Sequence, residues 1–350
     1  MNGADSKSER PGMDTSLKER MKNMARRIIS LGPIFAVVIL AALSTGCGIG
    51  PGESSTFDKT FAVTGPVQVE LNNGSGRVEI RSGQSGQVRV HAEFIVWLSF
   101  FDDRSNHLDE IRNHPPVDQQ ANLIRIESRG DPFNHVRIDY TIYVPAETEV
   151  RANVGSGNME VNDIQGPVNL QTGSGRIGAH RIHGDAETKT GSGSIELVDI
   201  GSRATAETGS GGIELIHIGG DINATTGSGS IRMDRTPERI VTHTGSGTIT
   251  ISGAMNDLRA SSGSGSVRVD GNPAASSYWD IHASSGGITL TVPSDAGFRV
   301  HARSGSGSIE SDLPVTMEEQ VGRHEMRGRI GNGSASVDLQ TGSGGIHIRR

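Results

Sequence analysis

The sequence predicts an all-β chain folded as a single-domain parallel β-solenoid. It would have about eleven coils of 18 residues, right-handed by the preference of parallel crossovers, behind an irregular N-terminal cap. Three observations carry this. Gly-Ser-Gly starts at Gly155, Gly173, Gly191, Gly209, Gly227, Gly245 and Gly263, always 18 residues apart, and a fixed period is the signature of stacked repeats. Apolar and polar residues alternate after every tripeptide. The composition also suits a thin interior: Gly accounts for 48 of 350 residues and aromatics for 4%, too few bulky side chains to fill a wide core.

The tripeptide recurs at Gly74, Ser284 (Ser-Ser-Gly), Gly305 and Gly342, which makes eleven copies. Two residues beyond each lies an aliphatic side chain, as in Ile177, Ile195, Ile213, Ile231 and Ile249. Two further on lies a second, as in Leu197, Leu215 and Ile251, while Glu196 and Glu214 point outward between them. Period two means a strand with one buried face. A second strand precedes each tripeptide, for example Ala204-x-Ala206-x-Thr208, and a third inward column (Ile164, Ile182, Ile200, Ile218) marks the other corner. Each coil is thus two short strands and two tight corners. The three equal faces of a left-handed hexapeptide helix are not seen in these inward spacings.

Other segments depart from the period. Residues 1–46 read as an export signal, with Met21 or Met24 as alternative starts, because Lys22, Arg26 and Arg27 precede an apolar run from Ile28 to Leu43. Small residues then lead to Cys47, in the manner of a bacterial lipobox whose Cys receives diacylglycerol. Ser44 stands where such a motif usually has Leu. The alternative is a single N-terminal transmembrane anchor. Residues 47–56 read as a lipidated tether, 57–153 as N-terminal strands with an insert at 99–118, and 154–350 as the regular solenoid with an insertion at 312–334. Asp102 to Asn113 reads as a short helix. Trp97, Phe100, Phe101 and Trp279 read as core.

Several residues carry a resemblance to a known family. They are Tyr143-Val144-Pro145-Ala146 entering the first regular repeat, the recurrent Thr-Gly-Ser-Gly-Ser-Ile turn, Val292-Pro293-Ser294-Asp295-Ala296-Gly297-Phe298, and the ending from Gly331 to Ile346. Over residues 60–350 the chain resembles the bacterial DUF4097 family of candidate adhesins. The resemblance implies a β-strand repeat and brings no catalytic motif. This chain has Gly-Ser-Gly where many relatives have Ser-Gly-Asp, which removes a stack of acidic side chains.

The chemistry-bearing patterns are mostly structural. Gly173-Ser174-Gly175-Arg176-Ile177-Gly178 matches G-x-G-x-x-G, but a strand follows where a dinucleotide site needs a helix. The repeated Ser (Ser174, Ser192, Ser210, Ser228) has too many equivalent copies to be a nucleophile; a turn requirement, with Gly supplying positive φ, explains it. The Thr column (Thr172, Thr190, Thr208, Thr226, Thr244) shares parity with inward Ala and reads as a buried hydroxyl ladder.

Asp163, Arg181, Asp199, His217 and Arg235 form one column at 18-residue steps. Their alternating signs suit a ladder on an open strand face, with no cleft expected. Asp199, His217 and Arg235 are the candidate surface-binding residues. No catalytic residue, cofactor or metal is implied.

Residues 1–46 hold seven Lys/Arg and four Asp/Glu, hence +3, so the rest of the −7 chain carries −7 − 3 = −10. That body repels nucleic acid. The expected protein is an extracytoplasmic, lipid-anchored, non-catalytic binding scaffold of the cell envelope, in the outer membrane or periplasm if the cell is Gram-negative. Its partners are membrane lipid through Cys47 and an envelope protein or polysaccharide. The alternatives are a β-helix carbohydrate-active enzyme and an envelope-stress or assembly accessory protein.

Overall fold

The computed structural model describes residues 53–96, 111, 113–131, 133, 136–236, 238–319 and 323–350. The export signal, Cys47, and the Trp97, Phe100 and Phe101 cluster lie outside the described residues, as does all of the Asp102–Asn113 segment except Ile111 and Asn113. Those two are helical, and Ile111 is buried. Among the described residues, no helix is long and apolar enough to cross a membrane.

Among the described residues, strands β1 to β29, in chain order, form two sheets of 14 and 15 strands, and the side chains between them make one hydrophobic cluster. The protein is all-β and solenoidal. In its middle, coils stack in chain order. A coil gives one strand to each sheet, as β14 (Ala204–Thr208) and β15 (Ile213–Ile218) do. Parallel pairing sets Ile213 between Ile195 and Ile231, 18 residues away on each side. Ile213 and Leu215 are buried while Glu214 between them is only partly so, and Thr205 and Glu207 alternate with buried Ala204 and Ala206. The period-two pattern therefore has the predicted parity. Trp279 is buried beside Leu258 and satisfies its indole N–H on the Asn256 carbonyl at 2.7 Å.

The Thr column is the expected hydroxyl ladder. Thr208 Oγ1 donates to the Gly193 carbonyl one coil away at 2.8 Å and accepts from Gly211 N–H at 3.2 Å; Thr226 and Thr244 repeat the arrangement. The glycines differ from expectation. Among the third-position glycines, positive φ occurs only at Gly76, Gly157 and Gly175. Proximity is the general requirement. A Cβ on Gly191 would stand 2.5 Å from the Gly173 carbonyl oxygen, and one on Gly211 or Gly229 would overlap the carbonyl of the glycine one coil before.

The ends depart from chain order. The coil of β2 (Gln68–Ser75) and β3 (Val78–Ser82) lies between β8–β9 (Glu149–Ser156, Met159–Ile164) and the later β6 and β7 (Leu123–Ser128, Val136–Val144). At the far end, the final coil of β28 (Ala335–Thr341) and β29 (Ile346–Arg349) is inserted between β22–β23 (Tyr278–Ala283, Ile288–Thr291) and β24–β25 (Phe298–Ser304, Ile309–Ser311). The closing strands thus sit one coil inside the stack.

Antiparallel strands continue the sheets beyond these coils. β1 (Glu53–Ala62) pairs with β4 (Gln87–Val96), which pairs with β7. β5 (Val117–Gln120) pairs with β6. The 312–334 insertion is a hairpin of β26 (Val315–Glu319) and β27 (Glu325–Ile330) laid on β24. Such covers shield three of the four parallel edges from further pairing, while β25 ends the 14-stranded sheet uncovered. Because β1 finds backbone partners in β4, the chain is already a strand at Glu53, within the stretch 47–56 expected to be tether.

Candidate functional site

In each regular coil the strand after Gly-Ser-Gly buries its first and third residues and then slips by one. The buried series runs Met159, Val161, Ile164 in β9 and Ile213, Leu215, Ile218 in β15. One left-handed residue absorbs the slip. Asp163, Arg181, Asp199, His217 and Arg235 have φ of 63°, 56°, 57°, 56° and 53°. In the next coil Gly253 takes this role at φ 80°. An L-residue in this conformation costs roughly 1–2 kcal/mol, and only short polar side chains such as Asp ease it by local bonding. Arg has no such relief, yet it holds two of the five positions.

The column is therefore a corner, not the open strand face expected from its charge alternation. It also lines a cleft where none was expected, a groove of about 780 Å³. Ser82 and the five left-handed residues lie along it, with Gln165, His183, Gly201 and Gly219 two residues further on in each coil and Ile182, Ile200 and Ile218 between. Its walls come from segments one coil apart, so single-strand periodicity does not reveal it. The slip from Val161 to Ile164 is the sequence signal that marks the corner. Gln165 and His183 carry no signal beyond their place two residues after it. Four steps of ~4.8 Å separate the Asp163 and Arg235 rungs by about 19 Å along the stack.

The rungs pair within the column. Arg181 donates from Nε and Nη2 to the two Asp163 oxygens at 2.5 and 3.0 Å. This fork holds the Asp163 carboxyl below the usual carboxylate range and raises Arg181 further. His217 Nδ1 lies 2.9 Å from Asp199 Oδ1. Arg235 bonds sideways, from Nε to its neighbour Asp234 at 3.0 Å. All three candidate residues, Asp199, His217 and Arg235, thus face one groove. Asp199 and His217 side chains are 50% and 39% exposed, so their charges are screened by water.

Among the described residues, smaller hollows also lie on the 15-stranded sheet. One, of about 300 Å³, is lined by Glu70, Asn72, Arg151 and Asn153, among others. Another, of about 180 Å³, is bordered by the exposed Val241 and Tyr278 with Arg239 and Arg259. Among the described residues, no group of three or more His, Cys, Asp or Glu is placed to hold a metal ion.

A family model, Toastrack DUF4097, matches residues 67–349. Matching solved structures include a candidate cell adhesion protein from Clostridium sporogenes, 13% identical, covering 84% of this chain and 99% of its own, with a TM-score of 0.22. A candidate adhesin from Parabacteroides merdae is 12% identical, covers 86% and 98%, and has a TM-score of 0.28. One from Parabacteroides distasonis is 10% identical, covers 84% and 97%, and has a TM-score of 0.28. No curated protein matches the sequence.

Proposed function

We propose, from the premise that this chain belongs to the Toastrack DUF4097 family, that it is an exported binding scaffold held at a membrane surface through lipid on Cys47. The observation that carries the reading is the charged left-handed corner. A solenoid rich in Gly places Asp, Arg and His where Gly would avoid strain, and backbone strain of this kind clusters at functional sites. Five such rungs along one groove suit an elongated partner, an envelope polysaccharide or protein segment, held by many modest contacts. Acylation of Cys47 would keep the groove near the envelope; two acyl chains give stable anchoring where one is marginal.

Two measurements test this. Metabolic fatty-acid labelling should mark the wild type and not Cys47→Ser; label that persists in Cys47→Ser removes the anchor. Capture from the native envelope should recover a component that is lost when Asp199, His217 and Arg235 are together replaced by Ala. Recovery unchanged by that triple replacement removes the groove from the function.

The Asp199–His217 pair in a groove also favours a second reading, cleavage of an envelope polysaccharide. Its water-exposed setting favours binding instead, since acid–base work draws on groups whose environments force their pKa values apart. Polysaccharide cleavage that disappears in His217→Ala would establish the enzymatic reading.

A further inference from the structure

We infer that the His217–Arg235 step of the groove binds the carboxylate of an acidic, chain-like glycan; the inference rests on the groove reading above. Rungs Asp163, Arg181, Asp199 and His217 alternate between acidic and basic, and neighbours pair as Asp163–Arg181 and Asp199–His217. The alternation then fails. Arg235 follows His217 as a second basic rung, and Gly253 beyond it has no side chain. Asp234 occupies the Arg235 Nε, which leaves both terminal nitrogens without a partner among the described residues. The member missing from the alternation is an anion between rungs 217 and 235.

The hydrogen positions specify how it would bind. A carboxylate only accepts, so the His217 Nδ1 facing Asp199 carries a hydrogen. The other ring nitrogen, Nε2, is then an acceptor in the neutral ring and a donor only in the imidazolium. A carboxylate on this step accepts from Nε2–H of His217 with one oxygen and from the planar Arg235 guanidinium with the other. Binding therefore requires the imidazolium form of His217, with a proton taken from water wherever the ring was neutral beforehand, and no covalent bond to carbon forms or breaks. The charged and titratable groups around that ring are Asp199 on the preceding rung, Arg235 with Asp234 on the following one, Arg181 and Asp163 further along, and His183 on the groove wall.

The state of the corner backbone favours a glycan over a peptide. The corner backbone is already engaged: the N–H groups of His183, Gly201 and Gly219 each donate to the Ile carbonyl of the preceding coil. An extended peptide thus finds no free strand edge to join, whereas sugar hydroxyls can both donate to Asp163 and Asp199 and accept from Arg181.

The test is calorimetric titration of the full chain in detergent with galacturonate oligomers of increasing length, neutral malto-oligosaccharides of equal length, and inorganic phosphate. Galacturonate should bind, more tightly with length and at lower pH, with a buffer-dependent heat that reports proton uptake. Removing one charge-assisted bond, as in Arg235→Gln or His217→Gln, should weaken it roughly tenfold, and His217→Gln should abolish the proton uptake. Circular dichroism checks that both exposed-site variants keep the stack. Three results overturn the inference: neutral oligomers binding as tightly as acidic ones, phosphate binding as tightly as the longest galacturonate, or no binding at all. The groove reading is judged separately by His183→Trp, which adds bulk to the groove wall and leaves every rung residue unchanged. Neutral-oligomer binding lost in that variant keeps the groove and discards only the carboxylate step.

Discussion

The two corners of each coil solve the same problem in opposite ways. At the Gly-Ser-Gly corner the residues are the same in coil after coil because backbones of adjacent coils touch, as at Gly191 over Gly173. At the other corner the backbone is the same in coil after coil and the residues change: Asp163, Arg181, Asp199, His217, Arg235. Repetition of Gly at the first corner reflects close backbone packing, relaxed at Ser284. Variation at the second means that packing tolerates several side chains there, so another requirement chooses among them. In this solenoid the variable corner is the one that lines a groove.

The comparison breaks most visibly at Gly211. Gly211→Ala puts a methyl group against the Gly193 carbonyl, and forcing the coils apart should cost about 3 kcal/mol, the upper part of the range for overpacking. Ser210, exposed in the middle of the same turn, should tolerate Ala within about 0.5 kcal/mol, as surface sites do. Thermal unfolding of the two variants checks this. Equal losses would mean that the corner is held by its hydroxyls instead.

Next in size is the ladder beside that corner. Thr208→Val keeps the shape and removes the group that bridges the Gly193 carbonyl and the Gly211 N–H. Two backbone groups then lose a partner, and the expected loss is about 1–3 kcal/mol, the usual cost of an unmet buried polar group. Denaturant titration reads it as a lower midpoint at unchanged slope. A loss near zero would show that water replaces the hydroxyl.

At the left-handed corner the response to glycine reverses. Arg235→Gly removes a strained L-residue but frees the unfolded chain, and these effects of about 1 kcal/mol each nearly cancel. Arg235→Val, β-branched at φ 53°, should lose about 1 kcal/mol or more. Melting curves of the pair separate backbone from side chain. If glycine destabilises as much as valine, the Arg235 side chain itself supports the fold and the contrast between corners weakens.

These contrasts explain which parts were legible in the sequence. The 18-residue step, the inward Ile columns and the Thr ladder depend on contacts between residues at one fixed separation, so they are written in every coil. The glycine requirement was legible as a position and misread as a conformation, because a repeated Gly looks the same whether it serves positive φ or close approach. The charged column was legible as a column. Its groove was not, since the walls of residues such as His183 and Gln165 come from different coils. The order of the last coils was hidden for another reason. Val337 and Leu339 present the same inward pattern as Val300 and Ala302, so either pair could lie beside Trp279 and Ile281, and the structure places Val337 and Leu339 there.

The smallest expected effect lies in the charge pairs of the variable corner, and it tests whether that corner contributes to stability at all. The Arg181 fork holds the Asp163 carboxyl below its ordinary range. A carboxylate whose folded pKa is depressed contributes stability that is fully present above its unfolded pKa and lost as pH falls through the folded value. Protonation in the unfolded chain comes first, so wild type should lose its advantage over Asp163→Asn progressively on acidification. Both side chains are about half exposed, 54% for Arg181 and 45% for Asp163, so solvent screening limits the whole effect to roughly 0.5 kcal/mol. Denaturant midpoints of the two proteins should differ slightly at neutral pH and converge in acid, and added salt at neutral pH should shrink the difference as well. A gap several times larger, or one indifferent to both pH and salt, would mean that Asp163 and Arg181 hold the corner together. The left-handed ladder would then be a structural clasp, and its freedom to vary could no longer be assigned to binding.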